Sequence, residues 1–169
     1  WGQKLWIEYL KPYVDSHYVD SYGTAVGVIN AGHLFKIVIE AHADEISWFV
    51  NYITADGLIY LKRNGGVDHQ TAPASRVLIH GKKGTVKAVF GWPAIHTRLN
   101  PDTKETSPRT DNLWLDCGAR NKKEVEALGI HIGAVVTYQD GFDELANGNL
   151  IGRAFDNRVG GFMIAEVAR

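Results

Sequence analysis

From Trp48 to about Asp140 the chain repeats one texture, a short β-like run followed by a glycine-bearing turn. The runs are Trp48 to Ile53, Leu58 to Leu61, Val77 to His80, Thr85 to Phe90, Leu113 to Asp116 and Val135 to Tyr138. Strands this short, spaced this regularly, predict a small barrel or sandwich. One helix is expected among them: Asn121 stands as N-cap with Glu124 three residues later, followed by Val125, Leu128 and a closing Gly129. The polar stretch from Asn100 to Arg109 has no periodicity and predicts a mobile surface loop.

The flanks read differently. Leu5, Trp6, Tyr9 and Leu10 have near-helical spacing, which Pro12 interrupts, so a short helix is expected. Tyr22 to Ile29 and Leu34 to Ile39, separated by Asn30-Ala31-Gly32, predict a hairpin. Its second strand is nearly all apolar, as in a sheet covered on both faces, and it runs into Glu40-Ala41-His42-Ala43-Asp44-Glu45. After Gly148 a strand over Leu150 to Phe155 leads to a turn at Asp156-Asn157-Arg158 and an apolar helix from Val159.

Bulk properties narrow the function. With 45% hydrophobic and 22% charged residues among 169, the chain is expected to be a soluble folded protein. A formal net charge of −1 gives no reason to expect nucleic acid or an anionic membrane as partner. No apolar run approaches the roughly 20 residues that cross a bilayer. The single cysteine, Cys117, cannot form an internal disulfide, so the reducing cytoplasm is the expected compartment. The sequence starts at Trp1 without Met and stops at Arg169 inside the apolar pattern of residues 162–168, so a longer polypeptide is expected.

Two places carry metal-site chemistry. In His42-Ala43-Asp44, alternation along an extended backbone puts both side chains on one side, where the carboxylate can orient the imidazole as metal-bound histidines require. Taken alone, such a triplet is better explained as a hydrogen-bonded histidine at a strand end. Asp156, at a strand-to-helix junction, has an equally plain explanation as an N-cap, although its two oxygens can also bridge two metal ions. Each is expected just beyond the C-terminal end of a buried strand, where open α/β sheets form their sites. His17, His33, His69, His80 and His131 lack the spacing of a helical or finger metal site, and His96 lies in a Pro-x-x-His stretch. The tryptophans are expected in the core or in subunit contacts.

The segments Ile39-Glu40-Ala41-His42-Ala43-Asp44-Glu45-Ile46 and Gly152-Arg153-Ala154-Phe155-Asp156-Asn157-Arg158-Val159-Gly160 resemble the two N-terminal metal-site motifs of the glutamyl and tetrahedral aminopeptidase family, family 42 of the metallopeptidases. Leu113 to Ala119, Glu126 to Ile130 and Val89 to His96 are similar to that family as well. The resemblance implies an α/β fold: a partial aminopeptidase-type α/β domain, residues 1–47 and 141–169, interrupted by a β-barrel-like dimerisation domain at 48–140. It further implies that His42 binds one metal ion, that Asp156 bridges two, and that Asp44 is the catalytic-site carboxylate holding and polarising His42. Two divalent ions follow, zinc or cobalt ahead of manganese, with peptides bearing a free N-terminus as substrates and a homo-oligomer built through the β domain.

In the family the general-base glutamate, an adjacent glutamate ligand, a further acidic ligand and a last histidine lie C-terminal to the Asp156 motif. No Glu-Glu pair occurs in this sequence, so the chain by itself is expected to be inactive. Two alternatives stand beside the aminopeptidase: a dinuclear carboxypeptidase or amidase on a related fold, and a non-catalytic assembly fragment.

Overall fold

The computed structural model describes residues 2–98 and 107–169. The backbone divides into two compact units, one formed by Trp1–Glu45 with Phe142–Arg169, the other by Ile46–Gly141.

The first unit begins with helix α1 (Gly2–Leu10), which a single 3-10 turn at Lys11–Tyr13 ends where Pro12 removes a backbone donor. Strands β1 (Ser16–Val19) and β2 (Ala25–Val28) follow as an antiparallel pair in the register Ser16↔Val28 to Val19↔Ala25. Here the expected hairpin is corrected: residues 22–29 do not pair with Leu34 to Ile39. The turn chemistry nearer in sequence decides the outcome. Asp20 Oδ1 accepts from Tyr22 N at 2.9 Å and Thr24 N at 2.8 Å, and Gly23 takes the positive φ of +96° that the turn needs. Among the described residues no strand pairs with residues 34–45, and Leu34, Phe35, Ile37 and Val38 are exposed. His42 therefore does not follow a buried strand.

The second unit contains β3 (Ser47–Ile53), β4 (Ile59–Asn64), β5 (Arg76–Gly81), β6 (Gly84–Gly91), a one-turn helix α2 (Ile95–Arg98), β7 (Trp114–Asp116), α3 (Lys122–Ala127) and β8 (Val135–Tyr138). Its six strands close into an antiparallel barrel in the order β3-β4-β7-β6-β5-β8. These are the six runs anticipated from sequence. The loop expected at Asn100 to Arg109 lies largely outside the described residues.

Alternation along the strands fills the barrel. Val50, Ile59, Leu61, Val77, Ile79, Phe90, Leu115 and Val136 are buried, and Trp48, 1% exposed, meets Phe90 and Tyr138 edge-on at centroid distances of 4.9 and 5.2 Å. The buried polar residues among those described, Ser47 and Thr137, both have partners: Asn64 Nδ2 donates to Ser47 Oγ at 2.9 Å, and His80 Nε2 lies 3.0 Å from Thr137 Oγ1. Helix α3 starts as expected, with Asn121 Oδ1 accepting from Glu124 N at 3.0 Å, and sends Val125 into the core. It ends at Gly129, φ +91°, where any Cβ would stand 2.7 Å from Lys83 N, so glycine is required for the close approach to the β5–β6 turn.

The chain returns to the first unit through β9 (Phe142–Glu144) and β10 (Leu150–Gly152), an antiparallel pair, and ends with α4 (Phe155–Ala168). Strand β10 is largely exposed, not the buried strand of an open α/β sheet, and the paired strands of this unit are antiparallel. Trp6 Nε1 donates to Gly161 O at 2.7 Å and the Tyr9 ring approaches Phe162, which docks α1 against α4; Ile7, Leu10 and Ala165 are buried, Leu10 against Gly27 of β2. Among the described residues no helix is long and apolar enough to cross a membrane.

Trp48 reaches from β3 across the barrel to Phe90 on β6, so Trp48→Ala should cost about 3–5 kcal/mol of stability. Urea unfolding followed by circular dichroism checks this, and a loss within about 0.5 kcal/mol, the ordinary range for surface changes, would contradict the packing described.

Candidate metal centre

The segment Glu40 to Glu45 carries neither helix nor strand, and the His42 ring projects from it between two carboxylates. Nδ1 lies 3.0 Å from Asp44 Oδ1, and Nε2 lies 3.1 Å from Asp156 Oδ1. All three residues singled out from sequence thus meet at one place in the first unit. Their side chains are 54%, 87% and 93% exposed in the order His42, Asp44 and Asp156, so solvent reaches the site.

Local structure explains how Asp156 becomes available. The N-cap role that its position suggested falls to its neighbour: at the kink near the start of α4, Asn157 Oδ1 accepts from Gly160 N, three residues further on, at 3.1 Å. Asp156 itself is extended, at φ −86° and ψ 104°, and the peptide bond joining it to Asn157 is cis. Gly160 is needed beside this cap, because a Cβ there would stand 2.3 Å from Asn157 Oδ1. The capping demand is met by Asn157, and the Asp156 carboxylate faces His42 instead.

The donor chemistry fits a cation. A neutral imidazole carries one N–H, and with Nδ1–H donated to Asp44 the Nε2 lone pair points at the Asp156 carboxylate. Two acceptors held 3.1 Å apart repel unless a proton or a metal ion lies between them. Ligands sharing a tetrahedral zinc ion through bonds of about 2.0–2.2 Å stand roughly 3.3 Å apart, close to this spacing. Among the described residues no group of three or more His, Cys, Asp or Glu side chains is placed to hold a metal. His42 and Asp156 therefore form a pair of donors, fewer than the roughly three protein ligands of a catalytic zinc site.

Glu45 faces away from this pair. Its Oε2 lies 3.0 Å from Arg153 Nε, and its Oε1 accepts from Arg158 Nη2 at 3.1 Å. Arg158 Nε also donates to Ala43 O at 3.3 Å. The sequence motifs by themselves assign these arginines no role. The available signal was a pair of cations three residues before and two after Asp156.

The other histidines have local explanations. His80 joins the barrel wall as described, His131 Nδ1 lies 2.8 Å from Ile132 O, and His33 Nδ1 accepts from Phe35 N at 3.2 Å. His69 Nε2 lies 2.9 Å from Thr110 Oγ1, and burial, reinforced by the nearby Arg63 cation, holds its pKa below the ordinary histidine value. His17 lies on exposed β1 and His96 in α2.

Comparison with known proteins follows the same motifs. Residues 23–169 match the model of the family described as M42 glutamyl aminopeptidase. The chain is 27% identical over 165 residues to a lysyl aminopeptidase of Pyrococcus furiosus, covering 98% of this chain and 47% of that protein. Among solved structures, a TET aminopeptidase from the marine sediment archaeon Thaumarchaeota archaeon SCGC AB-539-E09 superposes with a TM-score of 0.90 at 28% identity, over 98% of this chain and 47% of that one. An aminopeptidase from the archaeon Desulfurococcus kamchatkensis gives 0.88 at 31%, over 98% and 45%. The chain spans between 35% and 47% of the length of the curated relatives it matches.

If Asp44 orients the His42 ring, long-range proton–nitrogen NMR of the metal-free protein should show Nδ1 carrying a proton, and Asp44→Ala should remove it and leave the ring proton on Nε2, where Asp156 accepts it. An Nδ1 without a proton in the unsubstituted protein would refute that role for Asp44.

Proposed function

The chain belongs to the M42 glutamyl aminopeptidase family, and we propose that it supplies His42 and Asp156 as metal ligands of a dinuclear aminopeptidase centre. The observation that carries this reading is the position of the His42 ring between two carboxylates, with Nε2 3.1 Å from Asp156 Oδ1 and Asp44 on the far side of the ring. Two divalent ions, zinc or cobalt ahead of manganese, would supply Lewis acidity toward the scissile amide and water.

The residues of this chain have separate tasks. His42 donates its Nε2 lone pair. Asp44 touches no substrate; by accepting from Nδ1 it fixes the tautomer and the plane of the ring and raises its basicity as a ligand. Asp156 has one oxygen facing His42 and a second available to bridge, and its exposure leaves room for a substrate amine and carbonyl to approach. The remaining ligands and the general base are not among the donors grouped here. The substrate class in this reading is a peptide with a free N-terminal amine, and the support is family membership together with the likeness to aminopeptidases.

In this reading the barrel unit is an insertion in the peptidase domain that joins copies of the chain into a homo-oligomer, and the protein works in the cytoplasm. The support is the family membership and the likeness to a TET aminopeptidase.

In the protein carrying this chain, His42→Ala and Asp156→Asn should each weaken cobalt binding by more than the roughly 10–100-fold typical of outer-shell changes. Both should abolish release of N-terminal residues from free peptides, while N-acetylated peptides should resist the unsubstituted enzyme as well. Near-normal turnover in either variant would sink the assignment. Oligomerisation is checked separately by analytical ultracentrifugation, where a strict monomer at micromolar concentration would count against the assembly role of the barrel.

A further inference from the structure

The two segments that hold His42 and Asp156 are far apart in sequence, and no strand ladder aligns the first of them. Residues 40–45 form neither helix nor strand, so the position of His42 over Asp156 depends on side-chain contacts. The His42–Asp156 contact is a poor anchor, since the two side chains are 54% and 93% exposed and water competes for both.

A more sheltered contact lies next to it. The Glu45 side chain is 15% exposed and Arg153 is 19% exposed, and their closest polar atoms are 3.0 Å apart. Arg158, 113 positions from Glu45, adds a bond to Oε1 at 3.1 Å and reaches Ala43 O, the carbonyl between His42 and Asp44, at 3.3 Å. One carboxylate thus engages the two guanidinium groups that bracket Asp156, and one of those groups also holds the backbone beside His42. Glu45 and Arg153 are largely withdrawn from water, which strengthens their attraction, while Arg158, 50% exposed, contributes by holding Glu45 and Ala43 O at once.

We infer that Glu45 is a positioning residue that sets the spacing of His42 and Asp156 by locking Arg153 and Arg158 onto the His42 segment. The inference rests on the metal-ligand reading of His42 and Asp156 given above. Glu45 touches neither metal nor substrate and acts only through the arginines.

The test uses the protein carrying this chain, stripped by a chelator and titrated with cobalt, with affinity and the visible absorption spectrum as readouts beside the thermal unfolding midpoint. Glu45→Gln keeps the shape and removes the charge. It should weaken cobalt binding about 10–100-fold and change the absorption of the cobalt-saturated protein, which a loss of stability alone would not do. In a background of Arg153→Gln and Arg158→Gln the same substitution should have no further effect. If Glu45→Gln fails to fold, Arg158→Lys, which keeps the charge but lacks the two separate donor nitrogens that Arg158 uses for Glu45 and Ala43 O, should change the spectrum in the same direction. An unchanged spectrum and affinity in the folded variant, with His42→Ala still abolishing binding, would overturn the positioning role and leave the metal site standing. Cobalt binding unaffected by His42→Ala would instead overturn the metal-site reading itself.

Discussion

The pairing of β3 with β8 is short, with Trp48 opposite Val136 and Phe49 opposite Val135, yet it closes the barrel. Without it the outer strands would present unpaired amides and carbonyls to solvent, an arrangement that invites aggregation. Closure also gives Trp48 its surroundings. The tryptophan lies on the closing strand and reaches Phe90 on β6, which is not a neighbour of β3 in the sheet, so the ring spans the interior. Backbone pairing around the wall and aromatic packing across the lumen therefore depend on each other.

The first unit is built on a different balance. Its buried apolar side chains among the described residues are Ile7, Leu10 and Ala165, while Leu34, Phe35, Ile37 and Val38 on one segment and Phe162, Met163 and Val167 on α4 are exposed. Apolar patches of this kind usually mark surfaces that meet something else. Polar contacts accordingly carry much of the local order around His42, above all the Glu45 pairings with Arg153 and Arg158 beside its segment.

The barrel was legible in the sequence because each strand signals itself locally. Alternation marks the face that goes inside, and glycines and Asn121 mark where strands stop and α3 starts. The hairpin was misjudged for a reason of the same local kind. Leu34 to Ile39 is the more apolar run, but Asp20 and Gly23 build a tighter turn, and Ala25–Val28 pairs backward onto Ser16–Val19. Asp156 was ambiguous from sequence, cap or ligand, because both uses favour a carboxylate at a helix start. The neighbouring Asn157 can cap equally well, and only the backbone conformation shows which residue does.

By itself the sequence determined the six barrel strands, the capped helix α3, the two motifs that carry His42, Asp44 and Asp156, and through them the family. All of these are written in residues close together along the chain, where periodicity, capping and spacing act. Tertiary structure decided which strands pair, that Asn157 takes the cap, that Nε2 of His42 meets Asp156, and that Glu45 finds Arg153 and Arg158. Those contacts join residues as much as 113 positions apart, and their distances follow from how the folded backbone brings the segments together, which no local pattern encodes.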